Sequence, residues 1–157
     1  MLSPDIPRNR LTVILPALNE EETVGAQTRA LRTDPAWLAL APIEIVVVDN
    51  GSDDATASVA QAAGARVVCE PRRGYGAACY AGLLAAQSDV VLLMDADGSD
   101  DLAGAARVAR RVLSGEADLA MGSRVRGRCE AGALTPQQRI GNTVAALLMW
   151  LLYGVRV

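Results

Sequence analysis

Five short apolar runs punctuate this chain, each followed by a polar stretch. They are residues 11–15 (LTVIL), 44–49 (EIVVVD), 66–69 (RVVC), 90–94 (VVLLM) and 119–121 (LAM). The runs are continuous rather than alternating, which predicts strands buried on both faces. Pro16 is expected to end the first strand. Between the runs the spacing predicts helices. One runs from about residue 20 to 31, with Asn19 as N-cap and Glu22 three residues on. Another covers 55–63 and is closed by Gly64. A small-residue helix covers 75–86, and a last one 102–113. Residues 33–42 (TDPAWLALAP) read as a loop, and Asn50-Gly51 as a turn.

Strands alternating with helices predict an α/β fold, a mostly parallel sheet with helices on both faces. Ligands of such sheets bind beyond the carboxyl ends of the strands. Residues 16–20, 49–54, 70–76, 95–101 and 122–128 should therefore share one edge. Further on, Thr135-Pro136-Gln137-Gln138 reads as a capping box with proline at the first helical position. Residues 144–153 are apolar on every face. Ten helical residues span only about 15 Å, short of a bilayer crossing. Two readings stand: a core helix, or one lying at a membrane interface. The closing GVRV reads as the start of another strand, so a fragment lacking a C-terminal acceptor-binding part is expected.

A length of 157 residues predicts one domain over 1–157. With 51% hydrophobic and 21% charged residues, the chain is globular rather than disordered. A net charge of −3 argues against a nucleic-acid partner. The chain has no His and no Lys. That excludes a Ser-His-Asp triad, imidazole metal ligands, Schiff-base chemistry and a Walker lysine. Cys69, Cys79 and Cys129 form no CxxC pair, which suits a reduced compartment. The N-terminus lacks a signal-peptide core. A cytoplasmic location is expected, with a peripheral place on the membrane if residues 144–153 face lipid.

The chemistry concentrates in MDADGSDD, residues 94–101. Asp100 and Asp101 precede a helix and suit its N-terminal dipole. Asp95 and Asp97 sit where a strand leaves the sheet, separated by small Ala96 and followed by Gly98. Two carboxylates about 4 Å apart repel by roughly 4 kcal/mol at an effective dielectric of 20. A hard divalent cation would remove that repulsion and leave positions open for phosphate oxygens.

LPALNEEETV, IVVVDNGSDDAT, RRGYGAA, MDADGSDD and MGSR stand in this order from Leu15 to Arg124. In that order and spacing they resemble the family 2 glycosyltransferases, and among these the polyprenyl-phosphate (dolichyl-phosphate) mannose and glucose synthases. The likeness runs from about Leu11 to Tyr153. It implies a GT-A type, Rossmann-like fold and an inverting, metal-dependent transfer of a hexose from a GDP- or UDP-linked sugar. The acceptor it implies is a polyprenyl phosphate. Donor contacts fall on Pro16, Leu18, Glu20, Val47, Asp49, Asp95, Ala96 and Asp97. Mg²⁺ or Mn²⁺ falls on Asp95 and Asp97, with Ser99 as a further ligand. Asp97 and Arg124 carry the catalytic roles. The sequence departs from the family pattern at Leu18, where many relatives have Tyr, and at Asn50, where a second Asp is common. GSDD also replaces the frequent Gln/Ser-His-x-Pro ending. A polyprenyl phosphate is already ionised and needs no general base, which suits a chain without His. Two other readings stand beside this one: a nucleotide-sugar-binding module without turnover, and an Asp-x-Asp phosphatase with Asp95 as nucleophile.

Overall fold

A computed structural model describes residues 10–40 and 42–122, all within the unit Met1–Gly122. Nine elements follow one another: β1 (Leu11–Ala17), α1 (Val24–Thr33), α2 (Pro35–Leu38), β2 (Ile43–Asp49), α3 (Thr56–Ala62), β3 (Arg66–Cys69), α4 (Tyr75–Ala85), β4 (Val90–Leu93) and α5 (Leu102–Leu113). The four strands form one sheet in the order β3-β2-β1-β4, and every pairing is parallel. The expected α/β architecture is present.

Alternate residues of each strand feed two cores. Leu11, Val13, Leu15, Ile45 and Val47 pack with Val24, Leu31, Trp37, Ala60, Ala106 and Ala109 from the helices of one face. Ile14, Val46 and Val48 pack with Ala78 of α4 on the other. The small residues of α4 have a reason. A Cβ on Gly82 would lie 2.4 Å from Ile14 Cγ2, so only glycine lets this helix approach the sheet so closely.

Four expectations need correction. First, Pro16 does not end β1, for the strand continues to Ala17 with Pro16 in register with Val48. The Met94 N–H donates to the Ile14 carbonyl at 3.1 Å, and the Asn50 N–H to the Ala17 carbonyl at 2.9 Å. Backbone groups of a strand point alternately to its two neighbours, so position 16 faces β4. The next rung towards β4 would need an N–H at residue 16, and proline has none. The β1–β4 ladder stops there, and the chain after Met94 leaves the sheet.

Second, Asn19 is not an N-cap. It adopts φ +58°, and α1 starts at Val24 after Thr23. Third, residues 33–42 are not all loop. Asp34 accepts the Ala36 N–H, Pro35 takes the first helical position, and α2 follows. This short helix buries Trp37, whose indole N–H donates to the Leu102 carbonyl at 3.1 Å. Asp-Pro is itself a helix-start signal. Fourth, residues 119–121 form no strand. The segment runs beside β4, where Asp118, Leu119 and Ala120 border a small groove of about 120 Å³. Leu119 and Met121 stay exposed. Three residues offer too few ladder bonds to offset the entropy of ordering them.

The capping box at 135–138 and the apolar stretch 144–153 lie outside the described residues. Among the described residues no helix is long and apolar enough to cross a membrane.

Candidate active site

The sheet fixes where a ligand can sit. From β1 the chain moves outward to β2 and β3, then returns to place β4 on the other side of β1. The connections diverge at the carboxyl ends of β1 and β4, the switch point where such sheets bind ligands. Pro16 ends the β1–β4 ladder at this point. Residues 16–20, 49–54, 70–76 and 95–101 follow the four parallel strands and share this edge, as expected. Residues from 123 onward, Arg124 included, lie outside the described residues.

Hydrogen bonds tie the first two loops together. The Asn19 N–H donates to Ser52 Oγ at 3.0 Å, and the Asp53 N–H to Asn19 Oδ1 at 2.9 Å. The Glu20 N–H donates to Thr56 Oγ1 at 2.8 Å. Glu21 and Asp54 cap each other's chain: the Glu21 N–H donates to Asp54 Oδ2 at 3.2 Å, and the Ala55 N–H to Glu21 Oε2 at 2.8 Å. These carboxylates serve structure. Asp54 is held below the usual carboxylate range, first by the Thr56 hydroxyl and then by backbone N–H groups. Asp49, at the end of β2, accepts the Ser52 N–H at 3.0 Å.

Asn50 ties in the third loop. It is 4% exposed. Its Nδ2 donates to the carbonyls of Glu70 and Arg72 at 2.9 and 2.8 Å, and its Oδ1 accepts the Gly74 N–H at 2.7 Å. Buried Glu70 in turn accepts from the backbone and guanidinium of Arg72. Those bonds and the Arg72 charge hold its carboxyl below the usual range.

The Asp95–Gly98 turn is held by α1. Gln27 Nε2 donates to the Asp95 carbonyl at 2.7 Å, and the Gly98 N–H donates to Gln27 Oε1 at 3.2 Å. Thr23 Oγ1 lies 3.1 Å from the Ala96 carbonyl and 2.6 Å from Glu20 Oε2. Gly98 has φ +75°, which the turn requires and glycine adopts freely. The carboxylates brace the same loop. Asp100 Oδ2 accepts the Asp95 N–H at 3.1 Å, Asp97 Oδ1 accepts the Ser99 N–H at 2.9 Å, and Asp101 caps α5 through Ala103 and Gly104. Backbone N–H groups thus offset part of the clustered charge.

The sequence-selected residues separate into two groups. Asp95 is half-buried, while Asp97, Ser99 and Leu18 are exposed, with half-buried Glu20 and Asp49 on the same edge. Pro16, Val47 and Ala96 are buried and shape the floor rather than presenting polar atoms. Sequence reasoning missed Gln27, Asn50 and Tyr75. Gln27 lies four residues after Thr23, and a polar residue on an otherwise core-facing stripe is the signal that could have found it. The Tyr75 hydroxyl donates to Asp95 Oδ1 at 3.3 Å. Its pKa is pushed up to about 12, first by partial desolvation and then by its neighbours Cys79 and Asp95. At neutral pH it remains a donor.

Asp95 and Asp97 are hard oxygen donors on one turn, which suits Mg²⁺ or Mn²⁺. Among the described residues no three acidic or thiol side chains gather into a metal cage. An ion on this pair would keep most positions for outside oxygens. A separate groove of about 470 Å³, bordered by Leu31, Leu38, Leu40, Pro42 and Ile43, opens near the amino end of β2. Among its described lining residues Arg32 is the one charged side chain and none is acidic, unlike the carboxyl edge.

The chain is similar to known proteins. An uncharacterized glycosyltransferase of Mycobacterium tuberculosis (strain ATCC 25618 / H37Rv) is 46% identical over 137 residues, 85% of this chain and 56% of that protein. This chain thus spans little more than half the relative's length. The solved structure of glucosyl-3-phosphoglycerate synthase from Mycobacterium tuberculosis in complex with UDP matches with a TM-score of 0.58 at 25% identity, over 92% of this chain and 50% of that one. Mannosyl-3-phosphoglycerate synthase from Rubrobacter xylanophilus matches with a TM-score of 0.59 at 33% identity, over 67% and 36%. The fold is of GT-A type. The sequence model described as glycosyl transferase family 2 matches residues 12–154. That match runs through every strand and loop of the acidic edge, and the chain belongs to this family.

Proposed function

We propose that this chain forms the donor-binding part of an inverting hexosyltransferase that uses a nucleoside-diphosphate sugar. The observation that carries the reading is the position of Asp95 and Asp97, on a turn at the switch point and anchored through its backbone. Anchoring the backbone fixes where the two carboxylates stand on that edge. Between the two nucleotides left open by sequence, UDP is favoured, because a matched synthase binds it.

Asp95 and Asp97 would hold Mg²⁺ or Mn²⁺, which supplies positive charge against the donor diphosphate when bound. Ser99 lies within two residues of Asp97 and is the candidate further ligand. Glu20, Asp49 and Leu18 line the base and ribose side of the edge. Pro16, Val47 and Ala96 give it a rigid floor. Arg124 is assigned a charge-assisted contact to phosphate. In the transfer, an acceptor oxygen forms a bond to the anomeric carbon while the bond to the donor phosphate breaks. The electron pair leaves with the nucleoside diphosphate, and the configuration inverts.

The acceptor we assign is a polyprenyl phosphate, whose ionised oxygen attacks without a general base. Residues 144–153 would then meet its lipid tail or the membrane interface, and the protein would work at the cytoplasmic face. A second reading has a specific support. Two matched structures are named as 3-phosphoglycerate synthases, which favours a small phosphorylated acceptor whose hydroxyl attacks. That acceptor needs a carboxylate base from this edge. Transfer from radiolabelled UDP-hexose to polyprenyl phosphate and to 3-phosphoglycerate, in parallel, decides between them. Label in the lipid phase supports the first, and label in the aqueous phase the second. Tight donor binding with transfer to neither acceptor would instead favour a binding module without turnover.

A further inference from the structure

Gln27 is 6% exposed on α1, and burying an amide in a core position is costly unless both its ends are bonded. Both ends are spent on one loop: Nε2 on the Asp95 carbonyl at 2.7 Å, and Oε1 on the Gly98 N–H at 3.2 Å. The two contacts bracket the Asp-Ala-Asp segment. Thr23, the residue before α1 and four positions before Gln27, lies 3.1 Å from the Ala96 carbonyl between them and shares its one hydroxyl proton with the Glu20 carboxylate at 2.6 Å. Gln27 of α1 therefore holds the backbone of the acidic turn at both ends, with Thr23 beside its middle, and the carboxylates of Asp95 and Asp97 make other contacts. Asp100 supplies a further hold, on the Asp95 N–H.

We infer that Gln27 is a positioning residue for the acidic turn: it sets the separation and direction of the Asp95 and Asp97 carboxylates, and so the affinity for a divalent cation with a nucleoside diphosphate. This rests on the donor-site reading above. No other hydrogen-bonded side chain in the described core spans this turn from end to end. An amide carries a donor and an acceptor side by side at its tip. A glutamate keeps the acceptor for Gly98 and turns an oxygen on the Asp95 carbonyl. A methionine has similar volume and makes neither bond. Groups outside a first coordination sphere that fix its ligands typically contribute about 10–100-fold in metal affinity.

The test uses the whole chain as wild type, Gln27→Met, Gln27→Glu and Thr23→Val. UDP is titrated calorimetrically with Mn²⁺ and with EDTA, and amide exchange at Gly98 is followed by NMR. In Gln27→Met, UDP binding in Mn²⁺ should weaken by about 10–100-fold. Binding in EDTA should stay unchanged, and Gly98 should exchange faster while the α1 amides stay protected. Gln27→Glu should keep Gly98 protected yet still lose the Mn²⁺-dependent part. Thr23→Val should lose a smaller share, and it carries the test if the Gln27 variants do not fold. Equal weakening in Mn²⁺ and EDTA, or none in either, overturns the inference and leaves the donor site standing. A wild type whose UDP binding ignores Mn²⁺ overturns both.

Discussion

Asn50 Oδ1 accepts the Gly74 N–H at 2.7 Å, across the gap between the loops that follow β2 and β3. The same side chain donates to the Glu70 and Arg72 carbonyls. One buried amide thus satisfies three backbone groups of a single loop. An aspartate at this position could not do so, because an ionised carboxylate only accepts.

Asn50→Asp should leave two carbonyls without their donor and set a charge against them. The expected loss of stability is at least about 2 kcal/mol. Urea unfolding at neutral pH measures it. The loss should shrink at low pH, where a protonated aspartate regains one donor.

Thr28 presents the opposite case. It is fully buried on α1, and among the described residues nothing pairs with its hydroxyl. Thr28→Val keeps the shape and removes the unsatisfied oxygen. Stability should rise by roughly 1 kcal/mol, read as a higher urea midpoint with an unchanged slope.

Glu44 sets a pH dependence. Partial burial opposes its charge, but hydrogen bonds from Arg66 and Thr12 and the Arg66 charge outweigh this and hold the carboxyl below its usual 4.5. The Arg66 contact is 2.9 Å. A carboxyl depressed in the folded state stabilises above its unfolded pKa and loses that contribution as pH falls through the folded value. Glu70 and Asp54 are lowered too and act in the same sense. The stability gap between wild type and Glu44→Gln should be present at pH 7 and close below about 4.5. After solvent screening it should not exceed about 1 kcal/mol.

Much of the fold was legible because the strands are unbroken apolar runs. β3 and α5 lie where the spacing put them, and the order of runs and helices was enough to predict a parallel sheet. Other features depend on partners distant in sequence. Asn19 looks like a cap locally, yet it bonds to Ser52 and Asp53 across the loop gap. Pro16 looks like a strand end, yet it interrupts only the side facing β4. The run at 119–121 has strand composition but too little length. The carboxylate pair stood out by charge density alone. Its support did not: Gln27 is 68 residues from Asp95, and nothing local marks the two as neighbours.

The central claim is that Asp95 and Asp97 bind a cation with a nucleoside diphosphate. The most direct measurement is calorimetric titration of UDP, with GDP as control, in Mn²⁺ and in EDTA, on the wild type and on Asp97→Ala. Binding should be tighter in Mn²⁺ than in EDTA in the wild type and should favour UDP, and in Asp97→Ala the binding in Mn²⁺ should weaken at least about tenfold while the melting temperature is retained. Binding that is equal in EDTA, or unchanged in Asp97→Ala, would contradict the account and leave the acidic turn a structural device.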